Sequence, residues 1–181
     1  MIDFQTQSEV EPRADVAMNP PYIVALLAVD PLTDACVFTI DDDPLVNRQR
    51  IMEFKDRMLA MESGQIEMDV EHIVLDGMYL RKLFIPKGTV LVGKIHKKSC
   101  INIVAAGDIS VMTESGAKRV QAGYTLVSPA GIMKVGYAHA DTVFINVFRT
   151  EETDIARIEA DIACESFADL LAIDNKEALC Q

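Results

Sequence analysis

The sequence predicts a mainly β fold: a small antiparallel β-barrel over residues 67–150, flanked by an N-terminal and a C-terminal helix. Three observations carry this. From Glu67 onward nine short β-prone segments follow one another, at 70–75, 78–85, 90–96, 101–105, 109–113, 118–120, 125–127, 133–138 and 142–148. The breaks between them hold Asp76-Gly77, Pro86-Lys87-Gly88, Ala106-Gly107-Asp108, Glu114-Ser115-Gly116, Ala122-Gly123 and Pro129-Ala130-Gly131. On either side of this region the apolar period is helical. Many short strands at regular spacing, punctuated by turn residues, mean a sandwich or barrel.

Residues 1–66 divide into an arm, short strands and a helix. The arm, 1–21, is polar and aperiodic and ends in Asn19-Pro20-Pro21. Apolar runs at 22–29 and 35–40, separated by Asp30-Pro31-Leu32-Thr33-Asp34, predict two strands around a turn. Asp41-Asp42-Asp43-Pro44 is a helix start, with an acidic N-cap before a proline. Ile51, Phe54, Met58 and Met61 then recur at helical spacing, as core-filling side chains, up to Ser63-Gly64. In the tail, 151–181, Thr150 is the expected N-cap, the acidic Glu151, Glu152 and Asp154 suit the first turn, and Ile155, Ile158 and Ile162 share one face. Phe167, Leu170 and Leu171 extend that helix or start another.

Half of the 181 residues are apolar and a quarter are charged, so the chain buries enough surface to fold as one domain with appendages. The longest early apolar run, 22–29, is far shorter than the roughly 20 residues of a membrane span, and no basic stretch precedes it as in a signal peptide. No membrane association is expected, and the reading is a soluble, cytoplasmic protein. The four cysteines, Cys36, Cys100, Cys164 and Cys180, form no CxxC pair and no dense framework. A net charge of −11 argues against binding a nucleic acid polymer. Against that total, the stretch 94–139 holds six basic residues (Lys94, Lys97, Lys98, Lys118, Arg119, Lys134) and two acidic ones (Asp108, Glu114). Such an island focuses small anions.

Two spaced motifs lie in the barrel region. Gly88 is followed after five residues by Lys94-Ile95-His96, after three more by Cys100, and after six by Gly107. Gly123 is followed after five by Pro129-Ala130-Gly131, then by Lys134 and Ala138. This spacing resembles the two motifs of the cupin superfamily, in which His-x-His, Glu and a second-motif His bind a metal. The resemblance implies a cupin-type (jelly-roll) barrel, with Lys94, His96, Cys100 and Lys134 at the four ligand positions. The tract through Gly93-Lys94-Ile95-His96, Tyr137-Ala138-His139 and on to Glu159 also resembles an uncharacterised cupin-like group of tailed bacteriophages, over about three-fifths of the chain. That likeness implies a viral origin, in the host cytoplasm or the virion. In that group the position of Cys100 is commonly a histidine.

Lys94 and His96, two apart on a strand, share a face, and the family alignment aims Lys134 at the same centre. Transition ions take imidazole, thiolate or carboxylate, so of these four only His96 and Cys100 suit a metal, and no metal or other cofactor is expected. Ammonium groups and a histidine instead make charge-assisted hydrogen bonds to carboxylate or phosphate. Lys94, His96, Cys100 and Lys134 are therefore the candidate ligand-binding residues, for a small anion of nucleotide or sugar-phosphate type. No catalytic set is assigned. One alternative is a metal-dependent or metal-free cupin enzyme (lyase, isomerase or phosphodiesterase), in which His96 would act as acid or base with a second group such as Cys100 or His139. His72 and His139 read as structural histidines, and the parity of Tyr137 sets it on the face opposite Lys134. A closed barrel in a phage structural or host-interaction protein is the other alternative. The arm and the unpaired strand edges predict a homodimer or higher homo-oligomer.

Overall fold

The computed structural model describes residues 23–27 and 40–171. The arm 1–21, most of the strand expected at 35–40 and the tail beyond 171 lie outside the described residues, and Ile40 belongs to no strand. The elements in chain order are β1 (Ile23–Leu27), α1 (Pro44–Leu59), β2 (Asp69–Leu75), β3 (Met78–Ile85), β4 (Thr89–Gly93), β5 (Ile95–His96), β6 (Cys100–Ala106), β7 (Asp108–Thr113), β8 (Gly116–Gln121), β9 (Thr125–Ser128), β10 (Val135–Ala138), β11 (Thr142–Arg149), α2 (Ile155–Ile162) and β12 (Ala163–Cys164). Two five-stranded antiparallel sheets form, ordered β1-β4-β10-β7-β8 and β2-β3-β11-β6-β9, with β12 paired to β5. The chain passes back and forth between the sheets, the jelly-roll arrangement. The fold is mainly β with flanking helices, as the sequence predicts.

Strand alternation sorts the side chains into three cores. Leu83 and Ile85 of β3, Val104 of β6, Ile109 of β7, Ala138 of β10 and Phe144 of β11 pack between the sheets. The opposite face of the first sheet, through Val90, Val92, Met112 and Val135, is covered by Ile51, Phe54 and Met58 of α1. Below, Ile158 and Ile162 of α2 meet Tyr79, Cys100 and Phe148. The stretch expected as one strand at 90–96 breaks at Lys94, where the chain turns to follow the segment before β10. There Gly93 N donates to Lys134 O at 2.9 Å and His96 N to Ile132 O at 3.2 Å.

Both helices differ from expectation at one end. In α1, Asp43 caps the N-terminus by accepting from Leu45 N at 2.9 Å, with Pro44 beginning the helix. The helix stops at Leu59, ahead of Ser63-Gly64, because the Gln65 side-chain amide donates to Met58 O at 3.1 Å and takes over a last-turn carbonyl. Met61 is consequently 48 % exposed while Ile51 and Met58 are buried. The cap of α2 is Asp154, which accepts from Arg157 N at 2.9 Å, and not Thr150. Thr150 is buried and its hydroxyl accepts from Glu152 N at 3.1 Å, a local turn that delays the helix by one loop. No helix among the described residues is long and apolar enough to cross a membrane.

The motif glycine Gly107 joins β6 to β7 with φ +88°, and a Cβ placed on it would lie 2.6 Å from Thr142 Cα and against the Asp141 carbonyl oxygen. Backbone there cannot give way without moving β11. Gly107→Ala is expected to destabilise the fold by about 2–4 kcal/mol, from left-handed strain plus overpacking. Chemical denaturation against the parent measures it.

Candidate functional site

Register across the second sheet builds a polar row inside the barrel. His72 of β2 pairs with Arg81 of β3, Arg81 with Asn146 of β11, and Asn146 with Asn102 of β6. All point inward by parity with their apolar neighbours. Arg81, Asn102 and Asn146 are buried. Arg81 Nη2 donates to Asn146 Oδ1 at 3.2 Å and Asn146 Nδ2 to Asn102 Oδ1 at 2.7 Å. The guanidinium is neutralised from below: Glu159 of α2 accepts from Arg81 Nη1 at 2.9 Å and also from the Tyr79 hydroxyl. His72 Nδ1 sits 2.7 Å from that same hydroxyl. Buried polar groups demand such partners.

Facing this row is a cavity lined by Arg81 and Asn146 on one side and Lys94, His96 and Lys134 on the other, with an apolar part that includes Leu83, Leu91 and Phe144. It leaves about 60 Å³ for the centre of a water-sized sphere. A single water needs roughly 10–15 Å³ by that measure, so the space suits a handful of heavy atoms. Gly136 forms part of its wall because any Cβ would come within 3.0 Å of Leu91 Cδ2 and 3.2 Å of Ile109 Cδ1.

The four residues read from the motifs divide here. His96 is buried, with its ring edge-on to Phe148 at 5.3 Å between centroids and Nδ1 3.4 Å from Cys100 Sγ. Cys100 is buried and free. Lys94 lines the cavity, but its Nζ is 2.5 Å from Glu165, which also holds Lys55 of α1 at 2.9 Å. Lys134 Nζ is closed to solvent and has no hydrogen-bond partner among the described residues. Every other member of the basic island has one. Lys97 donates to Ala160 O, Lys98 pairs with Asp161, Lys118 donates to the Tyr124 hydroxyl at 2.9 Å, and Arg119 grips Asp108 at 2.8 Å.

Burial governs protonation throughout. It lowers the Lys134 pKa to about 8, opposed by Cys100 and helped by the Arg81 charge. It lowers that of His96 to about 2, with Lys134 and Arg81 adding to the effect, and raises that of the Cys100 thiol. At neutral pH the pair at the metal-ligand positions is thus a neutral imidazole and a neutral thiol beside an ammonium. Among the described residues no three His, Cys, Asp or Glu side chains gather to hold an ion. Two donors and an adjacent cation fit a divalent ion poorly.

The motif spacing says nothing of Arg81, Asn102, Asn146, Tyr79 and Glu159. A signal existed for three of them: in 78–85, 101–105 and 142–148 each occupies the inward parity of an otherwise apolar face. His139 lies away from the cavity lining, its Nε2 2.7 Å from Ser110 Oγ and its ring edge-on to Tyr137, which packs in the core under α1.

Two outcomes follow from these contacts. The folded pKa of His96 lies below its unfolded value, so between about pH 6.5 and 2 the unfolded chain binds the extra proton and stability falls with falling pH. His96→Gln is expected to flatten that part of the stability curve, measured by denaturant titration across the window. Glu159→Ala leaves the buried guanidinium without its carboxylate and is expected to cost about 3–5 kcal/mol, whereas Arg81→Met combined with Glu159→Leu recovers most of it. Equilibrium unfolding of the single and double variants compares them.

No family model and no curated protein matches the chain. Among solved structures it is similar to cupin-fold proteins. With KdgF from Halomonas sp. the TM-score is 0.43 at 19 % identity, covering 49 % of this chain and 83 % of that one. With a cupin-2 domain containing protein from Shewanella frigidimarina it is 0.38 at 13 % identity, covering 53 % and 91 %. With an RmlC-like cupin family protein of double-stranded β-helix fold from Methanocaldococcus jannaschii it is 0.40 at 14 % identity, covering 46 % and 80 %.

Proposed function

We propose that this chain is a cupin-type protein whose barrel binds a small anion, with Lys134 as its charged contact and no transition metal at the motif positions. One observation carries the reading: of the six basic residues in the island, Lys134 alone offers a buried ammonium without an acceptor among the described residues, and it faces a cavity. A carboxylate or phosphate oxygen there would remove the desolvation penalty on that charge and supply the missing hydrogen bond. The space accommodates the charged end of a sugar phosphate or nucleotide, or a whole small carboxylate. Lys94 contributes less than its motif position suggests, since Glu165 already holds it.

Thermal melts with phosphate, sugar phosphates and small carboxylates test this. The parent is expected to gain melting temperature with at least one anion. Lys134→Met should lose that gain, with affinity falling roughly ten- to a hundredfold for a charge-assisted bond worth about 1.5–3 kcal/mol. Lys94→Met should lose much less. Because the folded pKa of Lys134 is depressed, the unliganded parent should gain stability as pH rises from about 8 towards the unfolded value near 10.5, and anion affinity should fall over the same range. Absence of any anion effect, with Lys134→Met behaving like the parent, would instead favour a closed barrel used structurally.

A further inference from the structure

Resting on that reading of the cavity, we propose that Lys134 is also a nucleophile, forming an imine with small oxo acids that bring a carbonyl and a carboxylate into the barrel together. The ammonium that would hold an anion is, when neutral, an amine with an unengaged lone pair. Lys134 Nζ is shut from solvent and has no hydrogen-bond partner among the described residues, and Lys134 lines a cavity whose wall mixes polar and apolar side chains. Arg81 and Asn146 form its polar part on β3 and β11, the Arg81 charge being already met by Glu159, and Leu83 and Phe144 beside them, with Leu91 of β4, suit a short alkyl chain. An oxo acid of two or three carbons matches the space and its mixed polar and apolar wall.

The step is balanced without an oxidant or further reactant. The amine lone pair attacks the carbonyl carbon, the C–N bond forms and the carbonyl π electrons move to oxygen. In the carbinolamine that results, the C–O bond then breaks. Both hydrogens of the neutral amine leave with that oxygen as one water, and the nitrogen becomes doubly bonded to carbon.

The charged and titratable groups around the amine come from several elements: Arg81 of β3, His96 of β5 and Cys100 of β6, with Glu159 of α2 behind Arg81. Of these only Arg81 lowers and Cys100 raises the lysine's proton affinity beyond what burial does. With the lysine pKa at about 8, about half the amine is neutral at pH 8, on the order of a hundredfold more than for a solvent-exposed lysine. Lys94, tied to Glu165, has no such freedom.

The experiment incubates the parent, Lys134→Met and Lys134→Arg with pyruvate or glyoxylate, reduces with borohydride and locates adducts by peptide mass spectrometry. Melts with lactate, which has the carboxylate and lacks the carbonyl, run alongside. The expected result is one reduced adduct on Lys134, formed on the order of a hundredfold faster at pH 8 than on any exposed lysine. Its rate should fall about tenfold per unit below pH 7, where the neutral fraction shrinks in proportion. Both variants should lose it, including the folded, still cationic Lys134→Arg. If lactate stabilises the parent and no adduct forms on Lys134, imine formation is overturned and anion binding stands. If neither lactate nor phosphate stabilises and no adduct forms, both fail. Adducts spread evenly over lysines, unchanged in the variants, also overturn the proposal.

Discussion

The arrangement of the lower half of the molecule follows from one buried ion pair, Arg81 with Glu159. Strand alternation commits Arg81 to the barrel interior, between the inward Tyr79 and Leu83, where an uncompensated guanidinium would be strongly destabilising. The carboxylate that meets it comes from α2, so that helix must return beneath the barrel, burying Ile158 and Ile162 against Tyr79 and Phe148 as it does so. Immediately after the helix the chain pairs Ala163 with His96 and Cys164 with Ile95. One residue further, Glu165 reaches Lys94. The position of two motif residues thus depends on a helix that lies outside both motifs.

That dependence explains why the island of six basic residues is mostly spent on structure. Lys97 and Lys98 meet the carboxyl-terminal end of α2 through Ala160 and Asp161, a favourable site for cations near a helix C-terminus. Lys118 lies over Tyr124, and Arg119 with Gln121 fixes Asp108 where β7 begins. Lys134 escapes this pattern because it precedes β10 and projects between the sheets, out of reach of the acidic residues of the surface. Glu159 is engaged by Arg81 and Tyr79 and gives it no counter-charge.

The strands and their breaks were legible in the sequence because glycine at positive φ is a local requirement, met at Gly77, Gly88, Gly107, Gly116, Gly123 and Gly131. Spacing put Lys94 and His96 on one face and the cupin resemblance aimed Lys134 at the same centre; all three line the cavity, although the strand breaks at Lys94. Their partners did not follow from spacing. Glu165 is remote in sequence from Lys94, and no periodic pattern links an acidic residue in a helical tail to a lysine at a strand break. Arg81, Asn102 and Asn146 are separated along the chain and become one row only through register, which long-range pairing sets. Thr150 was the expected cap and Asp154 a first-turn acid, but the Thr150 hydroxyl closes a local turn with Glu152 N and leaves the cap to Asp154.

Burial acts on His96, Cys100 and Lys134 as a single cause with a common direction. Each is pushed towards its neutral form, the imidazole and ammonium by lowered pKa and the thiol by a raised one. An incoming divalent cation would find no charge to meet it and an ammonium opposing it. An incoming anion would reverse the cost on Lys134 alone, because only there does the charged form gain a partner while His96 is held neutral far below its ordinary range. On the proposed reading, anion binding in this interior would be coupled to protonation of one lysine: near pH 8 the anion would arrive with a fraction of a proton, and at lower pH it would meet a charge already in place. The same lysine, left neutral, would be the amine proposed to meet a carbonyl, so the acidity of the solution would select between the two proposed chemistries of one side chain.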